Sequence, residues 1–393
     1  MTETTSEHLT CMDSEFDPTI LTVEQAQQRI ANHLTPIVSS EQVDIRRSLN
    51  RVLSTDVCSN MDIPPHANSA MDGYAVNSED IPDTGSQTLQ KVVTIMAGTP
   101  FNGELTRGQC ARIMTGAKLP QGADTVIMQE HVQVDGDNIT ISAQHKAGDN
   151  VRLAGEDIRR GDVVLQRGRR LNAADVGLLA SLGMSEVKVY RKVRVAFFST
   201  GNELTPLGSP LEEGQIYDSN RYTLFSMLSQ FGAEIIDMGA IADDRTATEA
   251  AFQSAAANAD VLITSGGVSV GDADYVKDTL EKLGQVDFWK IAMKPGRPLA
   301  FGHLGNCAFF GLPGNPVSAM VTFYIFVQPA LRLISGQLNE GATVIELPCA
   351  STLKKRPGRM EFQRGVIETN ENGQQMVRST GGQGSHILSS MSA

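Results

Sequence analysis

The sequence predicts a mixed α/β protein of several domains, built around a parallel sheet covered on both faces, with smaller β-rich units before and after it. Three observations carry this. Between residues 192 and 292, strand-like and helix-like segments alternate, which is the pattern of βαβ units that assemble a parallel sheet. Over residues 43–141, and again from about residue 341, short β-prone pieces are broken at close intervals by Gly, Pro, Asn and Asp. The length of 393 residues exceeds one ordinary core and gives roughly two to four domains.

The elements follow in order. The opening MTETTSEHLTCMDSEFDP is polar and acidic and reads as a loose tail, unlike a secretory or transit peptide. Residues 22–34 predict an amphipathic helix with Thr22 as N-cap, Gln25 completing a capping box and Pro36 ending it. VVTIM (92–96), ARIM (111–114), DTVIM (124–128) and NITIS (138–142) predict strands of a small β-rich domain. A helix is expected over 172–182, capped by Asn172 and closed by Gly183. In the middle region KVRVAFFST (192–200), AEIIDMG (233–239), ADVLITSGG (259–267) and VDFWKIA (286–292) predict four strands. Residues 219–232, 246–257 and 275–283 predict the helices between them. Pro316 then opens a long helix with Val317, Met320, Val321, Tyr324, Ile325 and Leu331 along one face, and a small all-β unit is expected to close the chain.

Composition narrows the function classes. Hydrophobic residues make up 41% and aromatics 5%, with 36 glycines, a profile for a globular protein rich in tight loops rather than a disordered or coiled-coil chain. Cys11, Cys58, Cys110, Cys307 and Cys349 show neither CxxC nor metal-ligand spacing, which argues against a disulfide framework or zinc knuckle and for a reducing compartment. No apolar run approaching the ~20 residues of a membrane span is expected, so the reading is a cytoplasmic protein. The net charge of −12 excludes general nucleic-acid binding, which needs clustered cations. If an acidic chain handles an anionic substrate, it must concentrate its positive charge locally.

Such a concentration is foreseen at the strand ends, where open α/β sheets bind ligands. STGNEL places Glu203 after the first strand, and ADDR places Asp243 and Asp244 after the second. SGGVSVGDADY follows the third with Gly266, Gly267, Ser269, Asp272 and Asp274, and KIAMKPGRP follows the fourth with Lys290, Lys294 and Arg297. Carboxylates from two loops can hold Mg²⁺, which keeps its other positions for water and phosphate. Lys and Arg offset an oxyanion, and glycines let backbone N–H groups approach one. Read singly, each acidic residue also suits a solvated loop, and SGGVSVG also suits a mere tight turn. Trp289 reads as core, and His66 and His386 as surface residues. The convergence of four strand ends favours a site for phosphoryl or adenylyl chemistry.

PPHANSAMDGYAV (64–76), RIMTGAKLPQGADTVIMQE (112–130), GEDIRRGDVV (155–164), STGNEL (199–204), QIYDSN (215–220), TSGGVSVGDADYVK (264–277), KIAMKPGRPLAFG (290–302) and GLPGNPVSA (311–319) together resemble the MoeA family, the molybdopterin molybdenumtransferases related to the gephyrin E domain. The resemblance runs from about Leu21 to the end. It implies a flexible tail at 1–20, an extended domain at 21–62 and 146–186, and an inserted β domain at 63–145. It further implies a pterin-binding, MogA-like α/β domain at 187–336 and a C-terminal β-barrel domain at 337–393, shortened because the family runs about two dozen residues beyond SHILSSMS. It also implies a homodimer with its active site between subunits, and insertion of molybdate into adenylyl-molybdopterin with release of AMP and a need for Mg²⁺.

By the same resemblance, Glu203 and Asp274 match the metal ligands. Lys294, Arg297, Arg364 and Ser385 match the molybdate contacts, with Arg297 standing where Lys is frequent. Asp72, Thr115, Asp157, Asp243 and Lys290 match polar positions tied to activity, and Asp72 is expected to reach the opposite subunit. Pro313 and Pro316 read as structural. The implied partners are small-molecule substrates, a second copy of the chain and the pathway's adenylyltransferase, with neither nucleic acid nor membrane. Two other functions fit the α/β core alone: adenylylation of molybdopterin, and a dimeric scaffold without turnover.

Overall fold

The computed structural model describes residues 20–241, 244–266, 284–338, 341, 343–355 and 357–392. Its main sheet has seven strands. They are β1 (Ile20–Leu21), β2 (Arg194–Thr200), β3 (Glu234–Ile241), β4 (Val261–Ser265), β5 (Gln285–Ile291), β6 (Pro298–Leu304) and β7 (Cys307–Leu312), arranged β1-β5-β6-β7-β4-β2-β3. The four strands expected from the sequence, β2, β3, β4 and β5, share one direction as a parallel sheet requires, and β6, which the sequence reading does not include, is the exception. β6 runs antiparallel to both β5 and β7, because short turns rather than helices join these three segments, and short turns can only reverse the chain. The other five strands share the direction of β1. The carboxyl ends of β2, β3, β4, β5 and β7 therefore lie on one edge.

Strand alternation decides the two faces. Val195, Phe197, Val261, Ile263, Phe310 and Leu312 point to one side, Ala196, Phe198, Leu262 and Phe309 to the other, as a period of two requires. Five helices are described: α1 (Val23–Asn32), α2 (Ala173–Ser181), α3 (Ser219–Phe231), α4 (Arg245–Asn258) and α5 (Pro316–Ile334). α1, α3 and α5 cover the first face through Ile30, Leu224, Leu228, Phe323 and Leu331. α4 covers the second through Ala251, Phe252 and Ala255, with Phe252 edge-on to Phe198 at 5.4 Å between centroids. Each fully buried Phe contributes about 1.5–3 kcal/mol relative to exposure.

The helix starts obey their caps. Thr22 Oγ1 accepts from the Gln25 amide at 3.2 Å, and Gln25 Oε1 accepts from the Thr22 amide at 2.9 Å, the reciprocal pair the sequence predicts. Asn172 and Asp175 do the same for α2. α5 runs for 19 residues and, among the described residues, is the one helix long and apolar enough to cross a bilayer. This corrects the expectation that no such run exists. Its apolar face lies against the sheet, with Val317, Val321, Phe326 and Ile334 buried, as a core helix requires.

The remaining units have cores of their own. Residues 73–142 form a six-stranded sheet with Tyr74, Leu89, Ile127 and Ile139 in one cluster and Ile95, Leu105, Ile113 and Val126 in another. α2 and the pairing of Ser40–Asp44 with Glu186–Tyr190 enclose a third core of Leu53, Leu165, Leu179 and Val189. In the C-terminal unit Gly365–Thr369 pairs antiparallel with Gln375–Ser379. Among the described residues these two strands pair with each other, and Val377 also bridges Cys349.

Candidate functional site

The strand-end edge is fastened by backbone geometry around Gly266. Its amide donates to the Leu312 carbonyl at 3.1 Å, joining the ends of β4 and β7. Its φ is +91°, and a Cβ there would sit 2.7 Å from the Thr200 carbonyl oxygen. Any other residue would be strained in that conformation and would collide with backbone. Asn220, in the first turn of α3, donates from Nδ2 to Ser265 Oγ at 2.8 Å and to the Gly314 carbonyl at 2.7 Å. One amide thus ties the end of β4 to the loop after β7. The sequence motif contained Asn220, but nothing marked it as functional. Its signal is position alone, two residues beyond the N-cap Asp218.

Glu203 lies on the loop after β2. Its carboxylate is exposed and folds over Gly201, where a Cβ would meet Oε2 at 2.6 Å. Among the described residues it accepts no donor, so it is available to a ligand. Asp244, expected as a companion acid, is instead the N-cap of α4 and accepts from the Ala247 amide at 2.9 Å. Helix starts favour Asp for that reason. Asp243, Gly267, Ser269, Asp272 and Asp274 fall outside the described residues. Among the described residues, no group of three His, Cys, Asp or Glu side chains could hold a metal ion.

The cations sit at the end of β5. Lys290, opposite Pro298 in the ladder, and Arg297 are both exposed. The Arg297 carbonyl accepts from the Ile291 amide at 2.7 Å, which closes the intervening loop and keeps Lys294 on the edge. The Lys294 side chain is 53% exposed, and its Nζ lies 3.5 Å from Oε1 of Glu361, which is only 11% exposed. This contact comes from the C-terminal unit, because Met293–Lys294 pairs in parallel with Met360–Glu361.

Arg364, expected as an oxyanion contact, is largely engaged within its own chain. It is 8% exposed and gives Nε to Ser390 Oγ at 2.9 Å and its terminal nitrogens to the carbonyls of Gly382, Gln383 and Gly384 at 3.4, 3.3 and 3.0 Å. Burial lowers its affinity for the proton from the ordinary arginine value. Holding this loop delivers the next residue, Ser385, whose carbonyl accepts from the Val317 amide at 3.1 Å. Ser385 therefore reaches the N-terminus of α5 at Val317, which is two residues past Asn315.

Asp72 and Thr115 form a second centre on the six-stranded sheet. Asp72 Oδ1 accepts from both the amide and the hydroxyl of Thr115 at 2.7 Å. These bonds from Thr115, with the Arg112 charge nearby, hold the carboxyl below its ordinary value against a small burial cost. Asp157 is exposed, and its amide donates to the Ile63 carbonyl at 3.0 Å. Among the described residues no hydrogen bond or ion pair links Asp72, Thr115 or Asp157 to the strand-end edge of the same chain.

Comparison with known proteins matches this architecture throughout. Residues 21–183 match the MoeA N-terminal region (domain I and II), residues 196–333 the "Probable molybdopterin binding domain", and residues 346–393 the MoeA C-terminal region (domain IV). The chain is 46% identical to the molybdopterin molybdenumtransferase of Haemophilus influenzae, over 94% of this chain and 92% of that protein. It is 34% identical to gephyrin of Dictyostelium discoideum, over 89% of this chain and 55% of gephyrin. The crystal structure of the molybdopterin biosynthesis MoeA protein from Pyrococcus horikoshii superposes with a TM-score of 0.81 at 30% identity, covering 95% of this chain and 93% of that one. The chain belongs to the MoeA family.

Proposed function

We propose that the strand-end edge is where this chain, a molybdopterin molybdenumtransferase, brings adenylyl-molybdopterin and molybdate together and releases AMP. The observation that carries the reading is the joining of two sets of groups on one edge. Glu203, Gly266, Lys294 and Arg297 follow main-sheet strands in the α/β unit, and the carbonyl of Ser385 accepts from Val317 at the start of α5, beside the loop that Arg364 holds. Lys294 and Arg297 supply the local positive charge that an acidic protein needs in order to hold an oxyanion. Gly266 and the start of α5 offer backbone N–H groups to a phosphate. An oxygen of the held molybdate attacks the adenylyl phosphorus and displaces the pterin phosphate; the Mo–O bond to that oxygen then breaks as the dithiolene sulfurs take the metal, so that AMP leaves carrying the oxygen. What the side chains contribute is position and charge.

The reading includes a divalent cation, Mg²⁺. The unpartnered, exposed carboxylate of Glu203 fits it, with Asp274 as the second ligand on sequence grounds. When bound, the ion supplies Lewis-acid polarisation of the phosphate. It also includes a cytoplasmic homodimer, a transient partnership with the enzyme that adenylylates the pterin, and the five-part domain division given by the motifs. The separate cores of the six-stranded sheet, the α2 unit and the main sheet support that division. Among the described residues no bond joins Asp72 to its own chain's edge, which is compatible with its serving the site of a second copy. The test is AMP release from purified adenylyl-molybdopterin on addition of molybdate, by the wild type and by Glu203→Gln. Molybdate-dependent release that is lost in the variant is expected. Pyrophosphate release from ATP and molybdopterin, or full turnover by Glu203→Gln, would contradict the reading.

A further inference from the structure

We propose that Glu361 is a positioning residue that holds Lys294 on the edge and restrains oxyanion affinity there. The inference rests on the reading that Lys294 binds the oxyanion. Lysine is a point charge on a flexible stem, and among the described residues the ion pair of the half-exposed Lys294 is with Glu361. The C-terminal unit supplies that partner. The parallel pairing of Met293–Lys294 with Met360–Glu361 is reinforced by bonds from the Met360 amide to the Ala292 carbonyl and from the Phe362 amide to the Lys294 carbonyl, each 2.8 Å. These bring the nearly buried Glu361 carboxylate to 3.5 Å from Nζ. Its second oxygen accepts from Gln363 Nε2 at 3.2 Å, which fixes the carboxylate itself.

A carboxylate placed there has two opposed effects on an arriving oxyanion. It aims the ammonium, and it repels the ligand that the ammonium attracts. Lys294 is shared between a permanent internal anion and a transient external one, while Arg297, with no internal partner among the described residues, provides the unshared charge. A like charge about 7 Å from the oxyanion in a half-exposed setting corresponds to roughly tenfold in affinity. The edge therefore binds oxyanion more weakly than its cations alone would allow, and anionic product is not retained.

The test measures the molybdate KM and kcat for AMP release by the full chain, with Glu361→Gln, Glu361→Asp and Lys294→Ala compared with wild type at low and high salt. Glu361→Gln is expected to lower the molybdate KM about tenfold, with the gain shrinking as salt rises, and Glu361→Asp to restore most of the wild-type value. A carboxylate that mattered only for docking the C-terminal unit would give the opposite sign, a raised KM. An unchanged or raised KM in Glu361→Gln, with Lys294→Ala raising it as expected, overturns the role of Glu361 alone. An unchanged KM in Lys294→Ala overturns the oxyanion role of Lys294, and the proposal with it.

Discussion

Replacing Gly266 by Ala tests whether the strand ends are held as closely as the edge requires. Two costs follow from the structure. At φ +91° an L residue is strained by about 1–2 kcal/mol. In addition, the new Cβ would lie 2.7 Å from the Thr200 carbonyl oxygen, and relieving that contact means parting β2 from β4, an overpacking cost of about 1–3 kcal/mol. The sum is about 2–5 kcal/mol. Gly208 provides the control, since its φ is +87° but no atom lies within 4 Å of its added Cβ, so Gly208→Ala bears the first cost alone. The single tryptophan makes the assay local, because Trp289 is 9% exposed and packed in the core of the main sheet. Urea unfolding followed by Trp289 fluorescence should show Gly266→Ala well below Gly208→Ala in midpoint. The displaced edge should also lose about a hundredfold in kcat/KM for AMP release, as a misplacement near 1 Å can. Equal unfolding midpoints in the two variants, or unchanged turnover in Gly266→Ala, would refute the reasoning.

Two further expectations concern the amino-end edge of the main sheet and the C-terminal unit. Burial raises the Asp260 carboxyl pKa, but the bidentate Arg191 guanidinium at 2.7 Å and the Arg194 amide at 2.8 Å outweigh it and leave the value lowered. A depressed carboxyl stabilises the fold above its unfolded value near 4 and loses that contribution as pH falls through the lower folded value. Wild type should therefore lose Trp289-monitored stability below about pH 4 more steeply than Asp260→Asn, and parallel pH curves would count against it. For Arg364→Ala, the carbonyls of Gly382, Gln383 and Gly384 and the Ser390 hydroxyl lose their donor, at about 1.5–3 kcal/mol for bonds to a charged group. Limited proteolysis should then cut residues 380–392 several-fold faster, and an unchanged cleavage rate would mean the loop is held by something else.

How much of this was legible in the sequence depended on how far apart the determining groups lie along the chain. The caps of α1 and α2 are written within four residues, and periodicity over a short window reports which face of β2 or β4 meets a helix, so these came through. β6 and β7 did not. PLAFGHL and CAFFGL are apolar without alternation, and their direction is set by the short turns that join them to β5 and to each other rather than by any local pattern. Asp244 shows the opposite error. A carboxylate after a strand resembles a ligand, yet the same position is the start of a helix, and the vacant amides of the first turn compete for it.

The edge itself follows the same logic at longer range. Glu203, Gly266 and Lys294 could be anticipated because each directly follows a strand, and strand direction places them together. Their partners could not be, because Glu361 reaches Lys294 and Ser385 reaches Val317 only through pairing across more than sixty residues of chain. Arg364 illustrates the consequence. Its chemistry suits an oxyanion, but four of its five N–H donors are directed at loop carbonyls or a hydroxyl of its own chain, which fixes the loop leading to Ser385. A cation's type says what it can bind, and burial with internal pairing says how far it is already engaged. On that criterion Lys294 and Arg297 carry the exposed charge of this edge, whereas Arg364 is largely engaged within the C-terminal unit.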